Sequence, residues 1–177
     1  MTDASNINVN LARRIQESLC TVDELDAMVG TSDEIDRLIA SSNRAGADTL
    51  KKLSRSADDL TRKGVTGNPN TPPEILNNLA DEYPRAFLLN PAFDLMVLEN
   101  PGFLENFYES TLAEILKQKE CPQSIVEWAY NIYKKKKPFN SMVLKGVVQN
   151  PNTSVKIINS ILRLKAGVEI SCEESLL

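Results

Sequence analysis

The feature that most constrains this chain is an asparagine–proline turn placed directly before a helical segment. Its fullest form is the run Asn68-Pro69-Asn70-Thr71-Pro72-Pro73-Glu74. Proline interrupts a helix interior but suits the first turn, where its missing N–H costs nothing. The run therefore predicts a helix in which Thr71 is the N-cap, Pro72 is the first helical residue and Glu74 closes a capping box.

Similar helix starts recur through the second part of the chain. Proline follows Asn or Cys at positions 69, 91, 101, 122 and 151, which are 22, 10, 21 and 29 residues apart. A basic and then an apolar residue precede most of these turns, as Arg62 and Val65 precede Asn68. Each unit is predicted to be two short helices, and because one such pair cannot bury both of its faces, neighbouring pairs must stack. No region alternates apolar and polar residues as a strand would, so we expect an all-α solenoid.

The N-terminal part of the chain predicts ordinary helices without this turn. Thr21 and Glu24, and likewise Thr31 and Glu34, have the spacing of capping boxes. We therefore divide the chain into an N-terminal helical cap with degenerate repeats, a block of Asn-Pro-type repeats and an acidic C-terminal tail. These are residues 1–60, 61–165 and 166–177, respectively.

The best-preserved unit carries a family resemblance on Arg62, Val65, Asn68, Pro69, Asn70, Thr71, Pro72, Leu76, Leu79 and Ala80. This pattern resembles the leucine-rich repeat variant and related HEAT- or armadillo-like helical repeats of bacterial proteins. The resemblance covers about half the chain, strongly over residues 61–91 and partially over 141–162. It implies a short right-handed α-solenoid of stacked helix pairs. The original variant-repeat protein also carries a cysteine-rich iron–sulfur segment, but the scattered Cys20, Cys121 and Cys172 do not match it, so no cluster is expected.

Composition removes several function classes. The chain has no histidine, which excludes the commonest general base and every histidine-containing metal site. Its three cysteines are too few and too far apart for a disulfide framework or a four-thiolate zinc site. We find no signal peptide and no apolar stretch long enough to span a membrane. We therefore expect a soluble, cytoplasmic, non-catalytic protein with no metal and no cofactor.

Charge is separated along the chain. Residues 69–116 contain eight acidic residues and one basic residue, whereas residues 117–165 contain ten basic and two acidic residues. In a solenoid, distance along the sequence becomes distance along the array, so the two poles should occupy different places and orient a charged partner.

The strongest candidate binding segment joins aromatic residues to a run of lysines. We predict that a protein partner, one with an acidic surface, binds across the stacked helices at these positions. The candidate residues are Trp128, Tyr130, Tyr133, Lys134, Lys135, Lys136, Lys137 and Lys145, together with Arg62 and Arg85 on the repeats before them.

Other interpretations of this segment stay open. It could bind nucleic acid, with Lys134, Lys135, Lys136 and Lys137 on phosphates and Tyr130 or Tyr133 stacking on bases. It could also be structural, with Trp128 buried and the lysines complementing the dipole at a helix end. An enzyme resembling the HEAT-like alkylpurine DNA glycosylases is disfavoured, because no catalytic constellation is visible. Partner identity, oligomeric state and the repeat register over residues 90–120 stay undetermined at this stage.

Overall fold

The computed structural model describes residues 3–100, 102–136 and 141–166 and, for residues 3–8, only the backbone. Throughout those ranges the regular structure is helical, with twelve α-helices, one 3₁₀ helix and no strand, which confirms the all-α prediction. Packing divides the chain into two compact units, Met1–Leu104 and Glu105–Leu177. The grouping by repeat type given above stays a prediction. None of the described helices is both long and apolar enough to cross a bilayer.

The helices are short. The first unit contains α1 (Asp3–Gln16), α2 (Val22–Met28), α3 (Asp33–Ser41), α4 (Ala47–Leu53), α5 (Asp59–Gly67), α6 (Pro73–Leu79), α7 (Pro84–Leu88) and α8 (Phe93–Glu99). A 3₁₀ helix, Phe103–Asn106, follows α8. The second unit contains α9 (Glu109–Lys117), α10 (Gln123–Tyr133), α11 (Met142–Gln149) and α12 (Val155–Lys165). Isolated helices of these lengths are marginal in water, so tertiary packing must supply most of their stability.

Local capping signals predicted some helix starts correctly and misplaced others. The Glu24 N–H donates to the Thr21 hydroxyl while the Thr21 N–H donates to the Glu24 carboxylate at 2.8 Å, so the first capping box is confirmed. The second predicted box is wrong, because Ser32 is the N-cap of α3. The Thr31 hydroxyl instead donates to the Met28 carbonyl at the end of α2, at 2.6 Å.

The prediction that Thr71 is an N-cap is also wrong. Helix α6 begins one residue later than predicted, with Pro72 as its N-cap. The Thr71 hydroxyl donates to the Val65 carbonyl at 2.6 Å, and Thr153 donates to Val147 in the same way at 2.5 Å. In both turns the threonine bonds a carbonyl in the last turn of the preceding helix, where carbonyls outnumber the available amide donors.

Within the first unit, α1, α3, α5 and α7 pack in succession, each against the next. Helix α2 contacts α3, while α4 and α6 each contact the two members of this row that flank them in sequence. The core they share is aliphatic, and its fully buried residues include Leu25, Ile35, Ile39, Leu50 and Val65.

Asparagine side chains join the C-terminal ends of neighbouring helices in this row. Asn68, which directly follows α5, donates its two amide hydrogens to the carbonyls of Ala40 and Ser42 at the end of α3, both at 2.8 Å. Its side-chain oxygen accepts the Asn70 N–H at 2.9 Å. We call this arrangement the asparagine clasp. It satisfies carbonyls that have no partner within their own helix, and it holds two helices in register.

Two further asparagines form the same clasp. Asn90 donates to the carbonyls of Thr66 and Asn68, both at 2.9 Å, and so connects the end of α7 to the end of α5. In the second unit, Asn150 donates to the carbonyls of Leu116 and Gln118 at 2.6 and 2.9 Å, and so connects the end of α11 to the end of α9. All three asparagines are buried.

The clasps show which of the helix-starting turns correspond to one another, a question that the prolines left open. Pro122 is the N-cap of α10, as Pro72 is of α6, so Pro122 corresponds to Pro72 and not to Pro69. Gln118 therefore lies at the position that a clasping asparagine occupies in the other turns. Its main-chain carbonyl is one of the two that accept an amide hydrogen from Asn150. Asn100 is exposed and forms no clasp within the described residues, so its Asn-Pro pair is not a repeat boundary of this kind.

The second unit is built around the pair α9 and α11. Leu112 and Ile115 of α9 and Leu144 and Val147 of α11 are fully buried. Helix α11 also contacts α10 and α12, which leaves the end of α10 and the outer side of α12 at the surface of the unit.

Candidate interaction surface

The predicted binding segment lies on α10 and on the turn that follows it. Ile125, Val126 and Ala129 form the buried side of α10. Trp128 is half-buried, so it is neither the fully buried core residue of the structural interpretation nor a freely exposed one.

Tyr130 is held on both sides by neighbours in the same unit. Its hydroxyl lies 2.6 Å from the hydroxyl of Ser160, which connects α10 to α12. The ammonium of Lys134 lies 4.6 Å from the Tyr130 ring centroid and donates to the Asn131 side chain at 2.8 Å. The ring is therefore fixed by a hydrogen bond at one end and a cation on one face.

Tyr133 is less accessible than the sequence interpretation required. Only 4% of its surface is exposed, and the Lys136 ammonium lies 4.1 Å from its ring centroid. The prediction that Tyr133 is available to stack on a base is therefore wrong, because the periodicity of α10 turns this side chain toward the core. Its contact with the segment's cations is the one with Lys136.

The cations follow the C-terminal end of α10, where the helix dipole favours positive charge. Lys135 and Lys136 are exposed, Lys134 is half-buried, and Lys145 is exposed on α11. Lys137 was predicted as part of the same cluster and lies outside the described residues.

The two units differ in how many of their basic residues pair with carboxylates. In the first unit, several cations lie within salt-bridge distance of carboxylates far away in sequence: Arg14 with Glu24 at 2.5 Å, Arg37 with Asp58 at 2.6 Å, Lys52 with Asp26 at 2.7 Å and Arg62 with Glu82 at 2.5 Å. In the described part of the second unit, Lys117 pairs with Glu114, whereas most of the other cations form no ion pair. The cations without an ion pair include Lys134, Lys135, Lys136, Lys145, Lys156, Arg163 and Lys165.

Net charge follows the same division. The first unit holds sixteen acidic and ten basic residues, a net charge of −6. The second unit holds eight acidic and ten basic residues, a net charge of +2, and three of its acidic residues, Glu169, Glu173 and Glu174, lie outside the described part. The second unit therefore presents positive charge that its own described carboxylates do not neutralise.

The two predicted arginines of the first unit have different surroundings. Arg62 donates to the carbonyls of Ser56 and Ala57 and to the carboxylate of Glu82, and its guanidinium lies 5.8 Å from the Tyr83 ring centroid. These contacts explain Arg62 as a residue that holds α5 to the turn before α7. Arg85 is exposed on α7.

The surroundings of the two cysteines in the described part of the chain do not favour reactivity. Cys20 and Cys121 are both buried. Burial raises the pKa of the Cys121 thiol to about 12, so the thiolate that a nucleophile or a metal site needs is disfavoured. Among the described residues there is no group of three or more acidic or cysteine side chains arranged to hold a metal ion.

No family model, curated protein or solved structure matches this chain. The resemblance to helical repeats of the variant leucine-rich type therefore stays a prediction. The three clasping asparagines are structural residues that the sequence did not lead us to predict. Their signal in the sequence is the recurrence of Asn before Pro, which we attribute above to helix capping alone.

Proposed function

We propose that this protein is a non-catalytic helical-repeat scaffold that binds an acidic protein surface through the cations of its second unit. The observation that carries the proposal is the set of exposed lysines at the end of α10 and on α11 without intramolecular carboxylate partners. Exposed cations that are already paired gain little from a new carboxylate, whereas unpaired ones are free to steer and orient an acidic partner.

We further propose that the stacked pairs form an α-solenoid of the kind that the sequence resemblance implies. The repeated clasp supports this, because Asn68, Asn90 and Asn150 each follow one helix and bond the end of the second helix before it in the same way. Stacked units of this kind offer an extended surface for a protein ligand. Placement in the reducing cytoplasm belongs to the same proposal and is supported by the free thiols of Cys20 and Cys121.

Binding to nucleic acid is the alternative, and the geometry supports it less. Sequence-tolerant binding of single strands uses aromatic faces as well as cations. In this segment Tyr133 is buried and the ring of Tyr130 is held by Ser160 and Lys134.

The test compares two charge reversals in the full chain. The variant K134E/K135E/K136E removes the cations at the end of α10. The matched control K51E/R55E/K63E makes the same change in charge at three exposed positions of the first unit. Each immobilised protein is used to recover partners from a lysate of the source cells at about 50 mM and about 500 mM salt, since surface attraction is screened at the higher concentration.

We expect the wild type and the control each to recover one protein in stoichiometric amount at low salt. The variant K134E/K135E/K136E, called the α10 variant below, should not recover it. Equal recovery by all three proteins, or no stoichiometric protein, would overturn it. A gel-shift assay with single-stranded RNA and duplex DNA separates the alternative, because complexes with the wild type that the α10 variant abolishes would favour nucleic acid as the ligand.

A further inference from the structure

Helix α12 presents an outward face that is both apolar and basic. Its inner residues Ile157 and Ile161 are buried. On the opposite side, 72% of the surface of Val155 and 55% of that of Leu162 is exposed, and Lys156 and Arg163 beside them are also exposed. An exposed apolar pair flanked by cations on one side of a helix indicates a face that another helix covers.

Helix α8 of the first unit presents the opposite combination. Phe93 is buried, whereas 54% of the surface of Leu95 and 77% of that of Leu98 is exposed. The carboxylates of Asp94 and Glu99 are exposed next to these leucines, four residues from Leu98 and Leu95, respectively, and so on the same side of the helix.

The two faces are complementary in spacing as well as in charge. With a rise of about 1.5 Å per residue, Val155 and Leu162 are separated by about 10.5 Å along α12, and Leu95 and Leu98 by about 4.5 Å along α8. The two leucines of α8 can therefore fit between the two apolar side chains of α12. In that arrangement the acidic pair of α8 comes opposite the basic pair of α12, since each charged residue directly adjoins an apolar one in sequence.

We propose that these faces bind each other between copies, with α8 of one molecule docked on α12 of a second. The occupant of each face is a second copy of this chain, because the same sequence supplies both halves: an acidic apolar helix in a unit of charge −6 and a basic apolar helix in a unit of positive net charge. This self-association is separate from the partner binding proposed above, which uses the lysines after α10 and Lys145.

Sedimentation velocity of the full chain over a hundredfold range of concentration tests the proposal. We expect the wild type to show a mass that rises with concentration at about 50 mM salt and falls toward the monomer at about 500 mM salt. The variants D94K/E99K and K156E/R163E each place like charges on the two faces, so each alone should stay monomeric. The four positions are exposed, so the substitutions should leave the fold intact, which circular dichroism confirms or denies.

Charge exchange distinguishes a specific contact from general repulsion. The quadruple variant D94K/E99K/K156E/R163E restores opposite charges across the contact, and so does an equimolar mixture of the two double variants. Both should recover the association, while the control D48K/E74K, at exposed positions on α4 and α6, should associate like the wild type. A wild type that stays monomeric throughout, or a quadruple variant that does not recover association, would overturn the proposal.

Discussion

Asn90 donates a side-chain N–H to the main-chain carbonyl of Asn68 at 2.9 Å, so that one clasping asparagine bonds the one before it in sequence. Asn68 in turn donates to the carbonyl of Ser42 at 2.8 Å. Three helix ends of the first unit, those of α3, α5 and α7, are thereby connected by one series of hydrogen bonds between buried groups. Because a buried polar group that loses its partner is costly, this series should make the row sensitive to single substitutions at its centre.

Replacement of Asn68 tests the clasp. Asn68→Ala leaves the carbonyls of Ala40 and Ser42 and the N–H of Asn70 without their side-chain partner, and we expect a loss of about 2–3 kcal/mol in the free energy of unfolding. Asn68→Asp should cost more, because a carboxylate then faces two carbonyl oxygens. Urea denaturation followed by circular dichroism measures both, with Asn78→Ala on the exposed side of α6 as the control. A loss at Asn68 no larger than at Asn78 would contradict the clasp.

Gly146 tests the close packing of α9 and α11. A Cβ at this position would lie 2.7 Å from the carbonyl oxygen and 2.9 Å from the Cα of Ala113, which are main-chain atoms that cannot move aside locally. Gly146→Ala should therefore destabilise the second unit by about 2 kcal/mol. Gly67→Ala is the control, because nothing lies within 4 Å of the added methyl group there, and it should be neutral or stabilise by about 0.5 kcal/mol. Thermal melts that show equal effects for both variants would be inconsistent with this packing.

The ion pair between Arg37 and Asp58 predicts a pH dependence. Hydrogen bonds from Arg37 and then from Thr61 outweigh burial and hold the pKa of the Asp58 carboxyl well below its ordinary value. A carboxyl with a lowered folded-state pKa contributes stability above its unfolded pKa of about 3.9, and that contribution is lost as the pH falls below it.

Asp58→Asn keeps the capping oxygen and loses the charge, so it should be less stable than the wild type at neutral pH by a margin that shrinks in acid. Urea denaturation at neutral and acidic pH measures that margin. Asp48→Asn, at an exposed position of α4, is the control and should show little difference from the wild type at either pH. A constant margin for Asp58→Asn would show that its charge does not act through the pair.

Cys121 should be inert in the folded protein. With its pKa raised to about 12 by burial, it stays a thiol at about pH 8, and the thiol is the unreactive form. In a Cys172→Ser background we expect a disulfide-exchange reagent to react slowly with the folded chain. Once the chain is denatured, both remaining thiols should react readily. Rapid reaction of one thiol in the folded chain, removed by Cys121→Ser, would show that Cys121 is exposed or activated.

Predictions that depended on neighbouring residues had mixed outcomes. The capping box of Thr21 and Glu24 spans three residues, and the structure confirms it. Thr71 had an equally good local signal, but its hydroxyl bonds Val65 six residues earlier, an alternative that the capping rule does not consider. The candidate surface was predicted as a segment with its lysines, whereas the burial of Tyr133 and the pairing of Tyr130 with Ser160, thirty residues away, were not.

By itself the sequence determined that this chain is helical and, within a residue or so, where some of its helices begin, because proline, caps and apolar spacing act within a few residues. It also determined which segments are acidic and which are basic. Only the tertiary structure decided what the recurring asparagines do and which cations are left without a carboxylate. Asn68, Asn90 and Asn150 reach carbonyls 22 to 34 residues earlier. Whether such groups meet depends on how helices pack, and packing is set by the whole core rather than by any local run of residues.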